Sequence, residues 1–463
     1  MNLEDRLSQY SKSDMYPFHM PGHKRNMLAG QNPYAIDMTE VEGIDDLHDP
    51  EEVIKSEQER IAKLYGSQSS YILVGGSTVG NLAAIYAVTG IENSSLLIQR
   101  NSHKSVYNGA TLAHCQVDYV TPDQDKNGIY QALTLEQIKE AVARTVERDG
   151  CPPKAMVITS PSYEGYHAPV KKIWEYCQEN NIILIVDQAH GAHLGFHEIF
   201  KESAADCADI CIQSLHKTLP ALTQTALLHV NGQMVDRRRL RDALDIFETS
   251  SPSYVLMNSV SHCMNLLENR GQDLFDRYVE KLRNFYKSCG KLRHLKLLEE
   301  KDDVKDPGKI VILTSGTGLS GIELARILRE KYHLETEMAS FSYVLAMTSI
   351  MDTDQGFDRL CQALLKIDES LTDQENSSNI SIAVNPVKKM ELWQVRERRR
   401  KDLELKEVRG HVSAAMVCIY PPGAPILVPG EEVTKEALDL IEKALSQGLH
   451  VTGLCGQTMS VVN

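Results

Sequence analysis

The sequence has little that would suit a membrane, an export route or a nucleic acid. Its longest purely apolar run is about half a dozen residues, far below the roughly 20 that a membrane-spanning helix needs. The first residues, Met-Asn-Leu-Glu-Asp-Arg, contain no basic region followed by an apolar segment, so we expect no export signal and a cytoplasmic location. A net charge of −14 has the wrong sign for nucleic acid or an anionic membrane as a main partner.

Metal-binding and disulfide patterns are also missing. The 10 cysteines show no CxxC pair and no even spacing, which favours reduced thiols over a disulfide framework. His167, His190 and His193 raise the alternative of zinc, but His-Gly-Ala-His is a loop spacing and no acid or cysteine recurs at a structural-zinc interval. The sequence therefore predicts no metal site.

What is present is a globular pattern of alternating strands and helices. With 463 residues, 42% hydrophobic and 24% charged, the chain predicts two or three domains. The predicted strands are 71–74, 95–99, 117–120, 155–159 and two segments that end at Asp187 and Ser214; the helices between them are 82–88, one through Ala113, 135–146 and 170–179. Such alternation predicts an α/β fold whose mostly parallel sheet is covered on both faces, with the ligand beyond the carboxyl ends of the strands.

The flanking segments are less regular. Residues 1–34 are predicted to be loop with one short helix, and 49–65 a helix that starts at Asp49 and Pro50 and ends at Gly66. A helical tract is predicted over about 233–290, with the basic run 237–241 on a solvated helix face. A second α/β region is predicted from Lys309, and a linker over 368–378.

Two neighbouring predicted strands end in an acid and a lysine. Asp187 closes the run Ile-Ile-Leu-Ile-Val, and Lys217 follows the next strand, which ends at Ser214. A site for pyridoxal phosphate (PLP) needs at least these two groups. The lysine binds the aldehyde covalently, and the carboxylate keeps the pyridine nitrogen protonated so that the ring accepts electrons. A buried carboxylate needs such a partner. The alternatives are a surface lysine at a strand end and an aspartate that caps a helix or binds a metal.

The segment 75–81, Gly-Gly-Ser-Thr-Val-Gly-Asn, joins a strand to a helix. Free backbone N–H groups, the hydroxyls of Ser77 and Thr78 and the helix dipole would form an anion cradle around Gly76. The segment is neither a Walker loop nor a GxGxxG fingerprint. Ser214 and His216 could add donors to the same phosphate.

Other strand ends supply further candidates. His103 could stack on the cofactor ring and help with proton transfer, although a plain loop histidine fits the sequence equally well. Ala189 is small enough to pack under a ring. Ser160 and Tyr163 could reach the phenolic oxygen of the cofactor.

Taken together, these stretches resemble the ornithine/lysine/arginine decarboxylase group of fold-type-I PLP enzymes. The resemblance spans most of the chain in one order and is carried by the segments 18–24, 39–48, 76–81, 100–105, 187–190, 214–220, 249–254 and 420–431. It is closest to the compact members, which lack the extra amino-terminal wing domain of the large inducible enzymes. Three positions depart from the group: Gly75 stands where Asn is usual, His190 where the large enzymes carry Trp, and Ser261 where Asp is often found.

The resemblance implies a role for each candidate. Lys217 would be the lysine that holds the cofactor, Asp187 the partner of its ring nitrogen and His103 the residue stacked on the ring. The phosphate contacts would be Ser77, Thr78, Ser214 and His216. The further candidates for cofactor binding are Gly76, Ser160, Tyr163, Ala189 and His190.

The implied reaction is decarboxylation of a small basic amino acid. Arginine or lysine is favoured and ornithine is an alternative, with polyamine metabolism as the setting and a homodimer or a multiple of dimers as the assembly. Glu431, Glu432, Asp45 and Asp46 are candidates for binding the distal cation of the substrate. Another PLP reaction on the same scaffold, such as an aminotransferase or lyase, and a non-catalytic PLP-binding protein are the competing interpretations.

The predicted division of the chain has four parts. They are an N-terminal segment (1–34), a large PLP-binding domain (35–290), a small α/β domain (291–380) and a C-terminal decarboxylase-type domain (381–463).

Overall fold

Helices and strands alternate along most of the chain in a computed structural model that describes residues 3–25, 32–90, 94–200, 203–299, 304–372, 384, 386–420 and 423–463. In chain order the α-helices of this part are α1 Leu3–Ser11, α2 Val53–Tyr65, α3 Gly76–Thr89, α4 Lys104–Leu112, α5 Leu135–Asp149, α6 Val170–Glu179, α7 Leu215–Thr218, α8 Arg237–Phe247, α9 Tyr254–Cys289, α10 Gly321–Tyr332, α11 Asp354–Asp368, α12 Leu392–Glu397 and α13 Lys435–Ser446.

The strands are short and mostly apolar. In chain order they are β1 Tyr16–Phe18, β2 Ser69–Leu73, β3 Ser95–Gln99, β4 Gln116–Val120, β5 Ala155–Thr159, β6 Ile183–Asp187, β7 Ile210–Ser214, β8 Ala226–Val230, β9 Lys296–Leu297, β10 Lys309–Leu313, β11 Leu334–Thr336, β12 Met338–Ala339, β13 Tyr343–Met347, β14 Arg400–Glu404, β15 Val417–Ile419, β16 Pro425–Leu427, β17 Val451–Thr452, β18 Leu454–Cys455 and β19 Thr458–Val462.

A seven-stranded sheet with the order β2-β8-β7-β6-β5-β3-β4 forms the centre of the molecule. Strand β8 runs antiparallel to both of its neighbours, and the pairs from β7 to β4 are parallel. Leu184 and Val186 of β6 pack into one core, whereas Ile183 and Ile185 pack into another on the opposite face. Burial on both faces explains why the strand reads as one unbroken aliphatic run. The predicted fold class is confirmed.

Smaller sheets flank this centre. A four-stranded antiparallel sheet has the order β12-β13-β10-β9, and residues of β10 and β13 share a core with one face of the central sheet. Strand β1 pairs in parallel with β11, so the early segment contains a strand as well as the predicted helix. The C-terminal residues form two three-stranded antiparallel sheets, β14-β19-β18 and β16-β15-β17, around a separate core.

The glycine-rich segment differs from its prediction as a loop. Helix α3 begins at Gly76 rather than near Leu82, so Ser77, Thr78 and Gly80 lie in its first turns. A Cβ at position 80 would lie 2.7 Å from Cγ2 of Ile212 in β7. The absence of a side chain at Gly80 therefore lets α3 pack closely on the sheet. As a result, the start of α3 lies beside the end of β7.

The start of helix α2 was also predicted wrongly. The helix begins at Val53 and not at Asp49, although it ends at Gly66 in the left-handed conformation as expected. The carboxylate of Asp45, outside the helix in sequence, accepts the backbone N–H groups of Glu51, Glu52 and Ile54 at 2.9 to 3.0 Å. An acid further upstream thus caps the helix where the local pattern pointed to Asp49.

Two other segments refine the prediction. The tract 233–290 is two helices, α8 and α9, and Arg238, Arg239 and Arg241 are exposed on α8 as a solvated face. Asp368 does not begin a linker, since it ends α11, is buried and accepts the backbone N–H groups of residues 293–295. Residues 373–378 of the predicted linker lie outside the described residues.

Two global features complete the fold. All 10 cysteines are free thiols. Among the helices of the described ranges, none is long and apolar enough to span a bilayer.

Candidate active site

The acid and the lysine lie on neighbouring strands, as the sequence predicts. Asp187 is the last residue of β6, and Lys217 lies in the short helix α7 directly after β7. Strands β6 and β7 pair in parallel, so both carboxyl ends open at the same edge. Desolvation lowers the pKa of Lys217, and the charges of Asp187 and Glu337 oppose that shift. A lowered pKa favours the neutral, nucleophilic amine.

Asp187 is held in place by two donors. Its Oδ2 accepts a hydrogen bond from Asn81 Nδ2 at 2.9 Å, and its Oδ1 accepts from the backbone N–H of Ala189 at 3.1 Å. The residue is 3% exposed. Because a carboxylate can accept four hydrogen bonds, capacity remains for a cationic partner at this edge.

A chain of hydrogen bonds joins Asp187 to His103. Asn81 Nδ2 also donates to Ser105 Oγ at 2.9 Å, and Ser105 Oγ lies 2.8 Å from His103 Nδ1. The backbone N–H of Ser105 donates to the same nitrogen at 3.3 Å, so Nδ1 is an acceptor and neutral His103 carries its proton on Nε2. Desolvation by the surrounding protein and the charge of Lys217 lower the pKa of His103 to about 4, although the residue keeps an exposed surface. The ring is therefore neutral near pH 7.

His190 stands between two lysines. Its Nε2 lies 3.0 Å from Lys217 Nζ, and its Nδ1 lies 3.2 Å from Lys309 Nζ. His190 and Lys309 are buried, whereas Lys217 is half-buried. Burial and the charges of Lys217 and Lys309 lower the pKa of His190 well below its usual value. The sequence predicted His190 as a cofactor contact and gave no role to Lys309.

The predicted phosphate residues meet at the start of α3. Ser214 Oγ donates to Ser77 Oγ at 2.9 Å, and Thr78 is exposed in the same turn. The first N–H groups of a helix have no helical acceptor, which makes this a suitable end for an anion. His216 hydrogen-bonds through Nδ1 to the carbonyl oxygen of Thr225 at 3.0 Å, which leaves Nε2 for another partner. Gly76 has φ +74°, the left-handed backbone conformation that the turn from β2 into α3 requires.

Glu248, which holds the backbone just before α3, was not predicted. The carboxylate of Glu248 accepts the backbone N–H groups of Val74 and Gly75, each at 3.0 Å. It fixes the end of β2 before the helix begins. Because Glu248 lies more than 170 residues from Val74 along the chain, no local sequence pattern could indicate this contact.

Ser160 and Tyr163 follow the end of β5, and their side chains have different partners. The Tyr163 ring lies 4.6 Å from the His190 ring, and its hydroxyl donates to Glu337 Oε1. The Ser160 hydroxyl is fully buried and accepts the backbone N–H of Ala168 at 3.0 Å. The structure thus brings Tyr163 to the cluster and ties the Ser160 hydroxyl to its own loop.

Glu337 is the acid that sequence reasoning missed. Its carboxylate accepts hydrogen bonds from the Tyr163 hydroxyl and from the backbone N–H of Met20 at 2.9 Å, and its charge opposes the lowering of the pKa values of Lys217 and Lys309 by burial. It is half-buried between two short strands of different sheets. Its segment, Leu-Glu-Thr-Glu-Met, gives no local sign of such a position.

The acids predicted to bind a distal cation are engaged elsewhere. Glu431 is 1% exposed and forms an ion pair with Arg100 at 2.8 Å. Asp45 caps α2, as described above. The other two contacts are Asp46 with the backbone N–H of His48 at 2.9 Å and Glu432 with Lys389 at 2.9 Å. Each of the four acids thus has a partner inside the chain, and their role toward a substrate stays a prediction.

His193, which the sequence raised as an alternative zinc ligand, pairs with a carboxylate. His193 Nε2 lies 3.1 Å from Asp306 Oδ2, and the Asp306 pKa is held well below its usual range by His193 and Lys309 against the effect of burial. Within the described part of the chain, no group of three or more His, Cys, Asp or Glu residues has a geometry for a metal ion.

The mostly parallel central sheet, with smaller sheets beside it, is the fold of the fold-type-I PLP enzymes. The model of the family "Orn/Lys/Arg decarboxylase, major domain" matches residues 2–302, and that of its C-terminal domain matches residues 369–453. The chain belongs to this family, so the predicted family and enzyme class are confirmed.

Individual relatives agree with the family. An arginine decarboxylase of Bacillus subtilis is 28% identical over 98% of this chain and 96% of its own length, and a protein of the same organism named uncharacterized protein YaaO is 31% identical over 97% and 95%. A solved structure of the constitutive lysine decarboxylase of E. coli matches with a TM-score of 0.82, at 22% identity over 99% of this chain and 81% of that one. At that identity the structure shows a shared fold.

Proposed function

We propose that this protein decarboxylates a basic amino acid, with PLP bound at the edge formed by Asp187, His190 and Lys217. The observation that carries the proposal is the pairing of a half-buried lysine with a donor-held carboxylate at the ends of adjacent parallel strands. Relatives named arginine decarboxylase and lysine decarboxylase support the substrate class.

The residues at this edge fit PLP chemically. Lys217 would form the covalent link, and Asp187 would face the ring nitrogen with the acceptor capacity that Asn81 and Ala189 leave free. Ser77, Thr78, Ser214 and the Nε2 of His216 would hold the phosphate at the start of α3. His103 would lie against the ring. When bound, PLP supplies the electron sink for the bond to the departing carboxyl carbon.

The protein's own groups would handle the substrate and the proton. The half-buried carboxylate of Glu337 would bind the distal cation, since a charge-assisted hydrogen bond is among the stronger polar contacts. Loss of carbon dioxide leaves a carbon that must receive a proton. His103 Nε2–H and Lys217 Nζ are the candidates, and the Ser105 contacts fix the proton of His103 on Nε2.

A product screen tests the proposal. Purified, PLP-loaded protein is incubated separately with arginine, lysine and ornithine, and the products are identified by mass spectrometry. We expect carbon dioxide and the matching amine, with arginine as the favoured substrate because several relatives carry that name. Keto acid in place of carbon dioxide would identify an aminotransferase. Full cofactor occupancy without turnover on a broad panel of amino acids would identify a non-catalytic PLP-binding protein.

We further propose a cytoplasmic enzyme of polyamine metabolism that acts as a homodimer or a multiple of dimers. The family resemblance supports this assembly, and sedimentation of the PLP-loaded protein would test it. The division at residues 34, 290 and 380 is kept as a proposal. The seven strands of the central sheet lie between Ser69 and Val230, inside the proposed PLP-binding part.

A further inference from the structure

The ring of His190 contacts an amine on each side. The distances are 3.0 Å from Nε2 to Lys217 Nζ and 3.2 Å from Nδ1 to Lys309 Nζ, both within hydrogen-bonding range. His190 is 5% exposed and Lys309 is 1% exposed. In the described part of the structure, neither amine has another hydrogen-bond partner of its own.

A neutral imidazole has one N–H and one bare nitrogen. The bare nitrogen accepts from an ammonium, whereas the N–H needs an acceptor, and only an unprotonated amine can accept. Because the pKa of His190 lies well below its usual value, the ring is neutral near pH 7. Its two contacts are therefore both favourable when one lysine is charged and the other is neutral.

Either lysine can be the charged one, because acidic groups near each of them favour its ammonium form. Asp187 and Glu337 favour charge on Lys217, while Asp306 and Glu337 favour charge on Lys309. Burial is the main cause that lowers the pKa of Lys309 to about 7, and the charges of Lys217 and Lys24 add to its effect. The cationic form of His190 is opposed by Lys217, Lys309, His103 and His216.

We propose that His190 relays one shared proton between Lys217 and Lys309, so that Lys309 holds the charge when Lys217 reacts. The proposal rests on the assigned role of Lys217 as the lysine that binds the cofactor. A proton passes from Lys217 Nζ to His190 Nε2 while the proton on His190 Nδ1 passes to Lys309 Nζ. The ring ends neutral, as it began, and the total charge does not change. Lys309 is thus a positioning residue that acts through His190.

The experiment follows the rate at which full-length apoprotein links PLP covalently between about pH 6 and pH 9. Absorbance gives the rate, and mass spectrometry after borohydride reduction gives the extent. Lys309→Met removes the second amine, so we expect the apparent pKa of attachment to rise by about one unit and the rate at pH 7 to fall about tenfold, with recovery at high pH. Lys305→Met is the matched control, because Lys305 is buried four residues away and donates to the carbonyl oxygens of Asp306 and Lys309. We expect its pH profile to equal that of the wild type.

A double variant separates a relay from repulsion through space. His190→Phe keeps a flat ring without nitrogens, so Lys309→Met should cause no further shift in that background. An equal shift with and without His190 would overturn the relay. A second measurement needs no variant: the attachment rate of the wild type in mixtures of light and heavy water should depend on deuterium content with curvature, because two protons move together. A straight line would also overturn the relay.

These outcomes distinguish the relay from the proposed function. If Lys217→Ala linked PLP as the wild type does, the role of Lys217 and the relay would both fall. If Lys217 were required but Lys309→Met kept the wild-type pH profile, the relay alone would fall.

Discussion

Lys24 and Lys217 both follow a histidine, yet they lie in very different surroundings. Lys24 is 6% exposed, and its Nζ donates to the carbonyl oxygens of Pro17, His19 and Met347 at 2.7 to 3.1 Å, with Asp352 at 3.8 Å. Lys217 Nζ has one described hydrogen-bond partner, His190. Burial lowers the pKa of Lys24, but Asp352 and the three carbonyl acceptors favour its ammonium form, in which all three donors are used and join the N-terminal segment to β13.

The difference teaches that the partners of a lysine decide whether it is structural or reactive. Three carbonyl oxygens can only accept and therefore hold a proton on Lys24. An imidazole nitrogen can accept or donate, so Lys217 can lose its proton without leaving an unsatisfied group. The three predictions below test this comparison.

The largest effect is expected for Lys217→Ala. Turnover should fall by at least about 10³-fold, since the covalent step is lost, while thermal stability stays near that of the wild type. Activity assays, borohydride trapping and thermal melts measure the three quantities. Trapping of cofactor at the wild-type level would show that another lysine holds it.

Lys24→Met should act on stability instead. The change leaves Asp352 buried without its cation, which costs about 3–5 kcal/mol when a buried pair is broken. Urea unfolding measures the loss, and the folded fraction should still link PLP. Lys104, the third lysine after a histidine, is exposed and provides the control: Lys104→Met should change stability by less than about 0.5 kcal/mol. Equal losses in the two variants would contradict the comparison.

The smallest effect extends the same reasoning to carboxylates. Glu337→Gln should raise KM by about 10- to 100-fold, equivalent to about 1.4–2.7 kcal/mol of substrate binding, with a smaller change in kcat. Glu335→Gln is the control, because Glu335 pairs with Arg329 at 3.1 Å, two residues away from Glu337 along the chain. Steady-state kinetics should show no change in KM for the control. An unchanged KM in Glu337→Gln would remove this residue from the substrate site.

The sequence predicted most of the central sheet and the polar residues at its edge, but it did not predict β8. Strands β3 and β5 and helix α6 have the predicted bounds, because a buried parallel strand is an unbroken aliphatic run and a polar residue marks its end. Asp187 and Lys217 were found by the same signal.

Long-range contacts were beyond that signal. Lys309 begins β10, and nothing in Gly-Lys-Ile-Val-Ile-Leu shows that its amine reaches a histidine 119 residues away. The ion pair between Glu431 and Arg100 was missed for the same reason. The cap from Asp45 is local and was missed because Asp49 and Pro50 fit the usual pattern of a helix start. A charged residue at the start of an apolar strand was the available hint, since burial of a lysine requires a partner.

The position of His190 also bears on how the protein matures. One of its amines comes from the end of β7 in the central sheet and the other from the start of β10 in the four-stranded sheet, nearly 100 residues later. A nascent chain that has made only the first of these sheets contains Lys217 but lacks the second amine. Under the proposed relay, such a chain would link PLP more slowly near neutral pH than a chain that also contains β10.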